Sequence, residues 1–134
     1  MRVGRSRLGI LVMWSALAWA GSAESTTLEG ASWRLTQVAQ ADSPLQTIPG
    51  GVEASATFAK GSVSGSGGCN RYTAPYVVKE GKLTIGLAAA TMMACPEPLA
   101  AVEQALMAAL AATLAYRIAD GQLSLIDAQA RTLA

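Results

Sequence analysis

Few residues in this chain are of types that do chemistry, and the most suggestive stretch is GSGGCNRY, residues 65–72, where Gly65, Gly67 and Gly68 surround Cys69. Three chemistries suit such a stretch: a phosphate cradle, a reactive thiol, or a tight turn tied down by a crosslink. A dinucleotide fingerprint requires G-x-G-x-x-G between a strand and a helix, and Asn70 stands where the third glycine belongs. The P-loop pattern GxxxxGK[ST] is absent. A nucleophilic Cys69 needs a cationic neighbour and a base. Arg71 is nearby, but the chain has no histidine. That absence removes Ser-His-Asp and Cys-His catalysis and the usual general base near neutral pH. It also removes the commonest metal ligand, and the two cysteines lack the CxxC spacing of zinc sites. Glu97 and Glu103 are six positions apart, whereas helical neighbours are three or four apart, so they read as solvated charges. No catalytic residue, metal or cofactor is expected, and the chain reads as a non-enzyme. The remaining reading of residues 65–70 is structural. Glycines allow a sharp bend and close backbone approach, and Asn70 can bond its own backbone in a turn.

The compartment follows from the first residues. MRVGRSR is a basic start, residues 8–20 are a 13-residue apolar run, and Gly21, Ser22 and Ala23 are small. This is the pattern of an export signal, with cleavage after Ala23 or Ala20. Thirteen helical residues span roughly 20 Å, short of the roughly 30 Å hydrocarbon core. The expected organisation is a cleaved signal peptide, 1–23, and one domain, 24–134, periplasmic or secreted. No cysteine follows the apolar run for lipid attachment, so no stable membrane anchor is expected. From Glu24 onward seven basic residues stand against nine acids, a net charge of −2. Without a basic cluster, nucleic acid is a poor partner. In an oxidising compartment Cys69 and Cys95 are most simply a disulfide. The alternative is a pair of buried thiols behaving as small hydrophobes.

The elements that must position these residues are mostly strands. Alternation predicts strands over 32–38, with Trp33 and Leu35 inward, over 54–59, with Phe58 inward, from Ser62, over 72–79, and over 82–85 with Leu83 and Ile85 inward. Lys60-Gly61, Glu80-Gly81 and Asp120-Gly121 read as turns, the last inside a hairpin of 115–118 and 122–126. Residues 40–53, with two prolines and Pro49-Gly50-Gly51, read as loop. From Pro96 the period becomes helical. Leu99, Val102, Leu106, Leu110 and Leu114 form one stripe, Pro96 suits a first helical position, and Glu97 suits the first turn. The helix is predicted over about 96–112, with Ala101, Ala105, Ala108 and Ala112 on its back face. Residues 131–134 read as one last short strand. The fold class is α+β: a curved antiparallel sheet, a partly open barrel, with one main helix on its apolar face.

These residues resemble the META/HslJ family. The likeness covers about 33–133 and rests on Trp33 and Leu35, VSGSGGCNRY (63–72) with Tyr76, LTI (83–85), TMMACP (91–96), Glu103, Tyr116-Arg117-Ile118 and Leu123-Ser124-Leu125. The resemblance implies the α+β fold just described, and an exported protein linked to heat shock and novobiocin resistance. It carries no catalytic residues. Its signature residues here are Gly65, Gly67, Gly68, Asn70, Tyr72, Tyr76, Met93 and Pro96, with Cys69 and Cys95, all read as structural. Ala74 replaces a frequent glycine, Leu106 or Met107 a helix aromatic, and the end at Ala134 implies an incomplete last strand. The expected function is binding by a monomer, to an envelope protein or a small apolar ligand. The alternatives are inhibition of a lysozyme or protease through residues 40–53, with Leu45, Ile48 and Pro49 as anchors, and carriage of the apolar ligand between helix and sheet.

Overall fold

Three two-residue turns organise the sheet. In each, both central residues take positive φ: Lys60 52° and Gly61 82°, Glu80 54° and Gly81 81°, Asp120 52° and Gly121 73°. Such turns match the twist of the strands they join. They connect β5 (Ser55–Ala59) to β6 (Ser62–Ser66), β7 (Arg71–Lys79) to β8 (Lys82–Ile85), and β10 (Ala115–Ala119) to β11 (Gln122–Ile126). The structure is a computed structural model that describes residues 2–3, 27–40 and 43–134. The apolar run and cleavage sites of the expected signal peptide lie outside the described residues.

The remaining strands are β1 (Arg2–Val3), β2 (Ser32–Arg34), β3 (Gln37–Ala39), β4 (Leu45–Thr47) and β9 (Ala89–Ala90). The large sheet runs β6-β5-β2-β1-β11-β10-β8-β7-β9, and β6 also pairs with β7, which bends the sheet into a nearly closed antiparallel barrel. One helix, α1 (Leu99–Ala112), packs against β3, β8 and β11. Its Val102, Ala105, Leu106, Ala109 and Leu110 are buried with Trp33, Phe58, Leu83, Leu123 and Leu125 in one core. Phe58 and Tyr76 meet edge to face, 5.1 Å between ring centres, the geometry aromatic quadrupoles prefer.

Several expectations are corrected. The strand expected over 32–38 is two strands. Burial passes from odd positions (Trp33, Leu35) to even ones (Val38), so the phase slips at Thr36, and β3 leaves the large sheet to pair with β4. Residues 40–53 are therefore not all loop. Of the anchors expected there, Ile48 packs on the core, Leu45 is half-buried and Pro49 is exposed. The helix starts three residues late, at Leu99. A residue before proline is disfavoured in the helical region, so Pro98 keeps Glu97 out of the helix and Pro96 with it. Glu97 still serves the helix start, because its Oε2 accepts the Ala101 N–H at 3.1 Å. Leu114 lies beyond the helix and is 44% exposed. Ala105, expected on the back face, is in the core, because the side that packs includes 105 and 109 beside the leucines.

The chain end is not frayed. Leu125 donates to Ala134 O at 2.9 Å, Leu133 to Leu125 O at 2.7 Å, and Ala39 to Leu133 O at 2.9 Å, so the tail bridges β11 and β3. Asp127 turns the chain back: its Oδ1 accepts the N–H groups of Gln129 and Arg131, both at 2.9 Å, and its Oδ2 the Arg131 guanidinium. These bonds, led by the Arg131 N–H, hold the Asp127 carboxyl below its usual 3.8. A lowered folded value means this stabilisation is present above the unfolded value and is lost as pH falls through the folded one. Asp127→Asn should therefore lower the melting temperature at pH 7 and flatten its fall below about pH 4. Parallel melting curves for both proteins from pH 7 to pH 2 would contradict this.

Candidate functional site

The site is built around Asn70, at the turn between β6 and β7. Ser66 pairs with Arg71 across the turn, and the Gly67 N–H bonds the Asn70 carbonyl at 2.8 Å. Gly68 takes a φ of +113°, a region that L side chains rarely adopt. The bend turns the Asn70 side chain inward, where it is buried. Its Oδ1 accepts the Thr91 hydroxyl at 2.8 Å and the Met93 N–H at 2.7 Å. Its Nδ2 donates to Met93 O at 3.2 Å and to Glu103 Oε2 at 2.7 Å, and approaches Cys95 Sγ at 3.4 Å. Its backbone N–H meets Glu103 Oε1 at 2.6 Å. One asparagine thus fastens three segments: its own turn, residues 91–95, and helix α1.

The glycines make room for these contacts. A Cβ on Gly67 would lie 2.7 Å from Glu103 Cγ. A Cβ on Gly65 would lie 2.7 Å from the Ser55 carbonyl carbon and closer still to its oxygen. That same oxygen accepts the Tyr72 hydroxyl at 2.7 Å, and Ser55 Oγ accepts the Ser66 N–H at 3.3 Å. Burial pushes the Tyr72 phenol well above its ordinary 10. Cys69 and Cys95 are joined by a disulfide. It runs parallel to the Asn70 bonds and closes a loop worth about 3.5 kcal/mol in the chain-entropy picture. Pro96 follows it, its carbonyl accepting the Ala100 N–H at 3.1 Å.

Glu103, which its helical spacing marks as a solvated charge, is instead bonded to Asn70. Its partner lies 33 positions away, so helical spacing could not reveal it. The usable signals are the place of Glu103 among the residues of the resemblance and Asn70 itself, because a buried amide needs acceptors for its protons. Among the described residues no group of three or more cysteines or acids could hold a metal ion.

The loop fixed by this clip carries an unusual surface. Leu87 is 93% exposed, Met92 92% and Met93 58%. Residues 86–94, GLAAATMMA, contain no charge. A second feature is a cavity of about 120 Å³ between the β3–β4 pair and the start of α1, lined by Val38, Gln46, Ile48, Pro49, Pro98 and Val102 among others.

The family model for the META domain matches residues 26–134. The chain belongs to the META domain family. A solved structure, an NMR structure of a protein from Burkholderia xenovorans, is similar to this META domain at 28% identity with a TM-score of 0.64, over 87% of this chain and 95% of that one. No curated protein matches it. The geometry explains how segments quoted for the resemblance meet in this META domain. GGCN supplies the bend and the clip, TMMAC the clipped loop, and Glu103 the helix end of the connection.

Proposed function

We propose that this META domain is an exported, non-enzymatic binding protein of the envelope stress response, and that it recognises an envelope protein through residues 87–93. The observation carrying this reading is the exposure of Leu87, Met92 and Met93 on a segment anchored by Asn70 and the Cys69–Cys95 disulfide. Exposed apolar groups gain free energy when a partner covers them. Methionine adapts to irregular surfaces, and a segment already held in place loses less entropy on binding. The basic, then apolar, start of the sequence supports export, and a disulfide is compatible with an oxidising compartment. The link to heat and novobiocin comes from the META/HslJ resemblance.

The test is complementation. Cells lacking this chain are challenged with heat and novobiocin, carrying either the wild type or Leu87→Glu/Met92→Glu/Met93→Glu. The variant protein should melt close to the wild type, because surface changes cost within about 0.5 kcal/mol each. It should nevertheless fail to restore survival or to retain the partner captured from the envelope. Full rescue by the variant, or unaltered survival without the chain, would refute the proposal.

The cavity beside α1 favours a second reading, carriage of a small ligand. Its lining carries no charge, so the ligand would be uncharged. Native mass spectrometry of protein purified without denaturant tests it: a bound mass lost in Val102→Phe supports carriage, and a clean unliganded mass counts against it.

A further inference from the structure

We propose that the seam between β2 and β11 is a slot for an extended peptide strand, one with an acidic residue opposite Arg34 followed by an apolar residue opposite Trp33. The rest of the barrel wall is continuous pairing, but β2 and β11 do not pair with each other. At one end the gap is closed by the tail, through Leu125, Leu133 and Ala39. At the other it is filled by a strand of two residues, β1. Arg2 pairs with Arg34 and with Gln122, and Val3 pairs with Trp33, antiparallel on both sides. The seam therefore has the spacing and polarity to take a strand between its edges, the geometry of β-augmentation.

The edges also specify what fits. Leu35 donates its N–H to Ala54 O in the direction of β5. Successive residues of a strand point their backbone groups to opposite sides, so the N–H and carbonyl of Arg34 face the seam. Side chains alternate between faces as well. Arg34 is exposed and Trp33 is fully buried. A residue opposite Arg34 shares the outer face, and a residue opposite Trp33 shares the core face. Like charges directly opposite are destabilising and opposite charges favourable. In the chain's own strand the position in register with Arg34 is Arg2. An acidic–apolar strand fits both positions.

The inference rests on the export reading in one respect. Removal of residues 1–23 would leave the slot open to a partner's strand. The test uses the exported protein, with its N-terminus read by intact mass. The peptide MRVGRSR and its Arg2→Glu and Val3→Pro versions are added at millimolar concentration, while amide exchange at Arg34 and the emission of Trp33 are followed. The Arg2→Glu peptide should slow exchange at Arg34 and bind several-fold more tightly than MRVGRSR. The Val3→Pro peptide should bind more weakly, because proline cannot donate to a ladder. If intact mass shows residues 1–23 retained, the export reading fails alone. The slot is then tested in the full chain, where Arg2→Glu should slow Arg34 exchange several-fold. The slot is overturned if Arg34 exchange responds to no peptide in the leader-free protein, or to no Arg2→Glu change in the full chain. It is overturned equally if Arg34 is as protected as Leu35 in leader-free protein without peptide, or if binding ignores the charge opposite Arg34.

Discussion

Gly65→Ala is expected to cost at least about 3 kcal/mol of stability, and Gly65→Val to prevent folding. The added methyl would strike the Ser55 carbonyl group, its carbon 2.7 Å away. The backbone at Ser55 has little freedom to retreat. Ser55 belongs to β5, in register with Arg34 of β2 between the pairs that bond the two strands, and its carbonyl already accepts the Tyr72 hydroxyl. Gly65 is equally fixed, paired with Tyr72 inside the β6–β7 ladder. Overpacking a tight site costs about 1–3 kcal/mol and occasionally more. Here the obstacle is backbone, which puts the cost at the upper end. Each kcal/mol moves the melting temperature of a domain of this size by roughly 4 °C, between the values for smaller and larger domains, so Gly65→Ala should melt about 12 °C or more below the wild type. Gly50→Ala is the control. A Cβ there meets nothing within 4 Å, and its φ is not in the positive region, so its effect should stay within about 0.5 kcal/mol. Equal melting of the two variants would show that Gly65 is not a close-approach glycine.

The parts of this META domain that sequence made legible are those whose signals are local. Asp120-Gly121 between alternating runs specifies its hairpin, because the two residues tolerate the positive φ the turn requires. The leucines of α1 mark its packed side by their period. Alanine is less informative, since it is equally at home on either side of a helix. Ala105 therefore reads as back face by its spacing, whereas it packs in the core. The strand β4 was invisible for another reason. Leu45–Thr47 is three residues long, and only its pairing with Gln37–Ala39 makes it a strand. The helix start was obscured by two nearby prolines, of which the second decides. The candidate site divides the same way. Its bend was readable from GSGG, whereas the partner of that bend, Glu103, comes from a distant helix. The exposure of Leu87, Met92 and Met93 was not readable at all, since nothing in an apolar residue's type says that it stays in water.

Whether Asn70 and Glu103 act as one clip can be measured by exchanging their chemistry. Asn70→Asp keeps the Oδ1 acceptor used by Thr91 and Met93 but replaces the Nδ2 donor with a second carboxylate oxygen, facing Glu103 Oε2 across 2.7 Å. The variant loses a charge-assisted bond and gains a like-charge contact. A lost partner at a buried site costs about 1–3 kcal/mol, and more for charged groups, so about 3 kcal/mol is expected at pH 7. Protonation of the introduced carboxyl would restore a donor between the two oxygens. The deficit should therefore shrink as pH falls, the opposite of the acid sensitivity expected from Asp127. Glu103→Gln alone leaves an acceptor for the Asn70 N–H but sets two amide groups against each other, at about 1–2 kcal/mol. Combined, the two substitutions rebuild a donor–acceptor pair of reversed polarity, because the new amide can donate to the new carboxylate. The double variant should be more stable than Asn70→Asp by about 1 kcal/mol where independent losses would make it less stable, a coupling of about 2–3 kcal/mol, within the range of coupled neighbours. If the two losses simply add, the turn and the helix are held independently, and the loop bearing Met92 and Met93 is tied to the turn by the Thr91 and Met93 bonds, the β7–β9 pairing and the disulfide without help from Glu103.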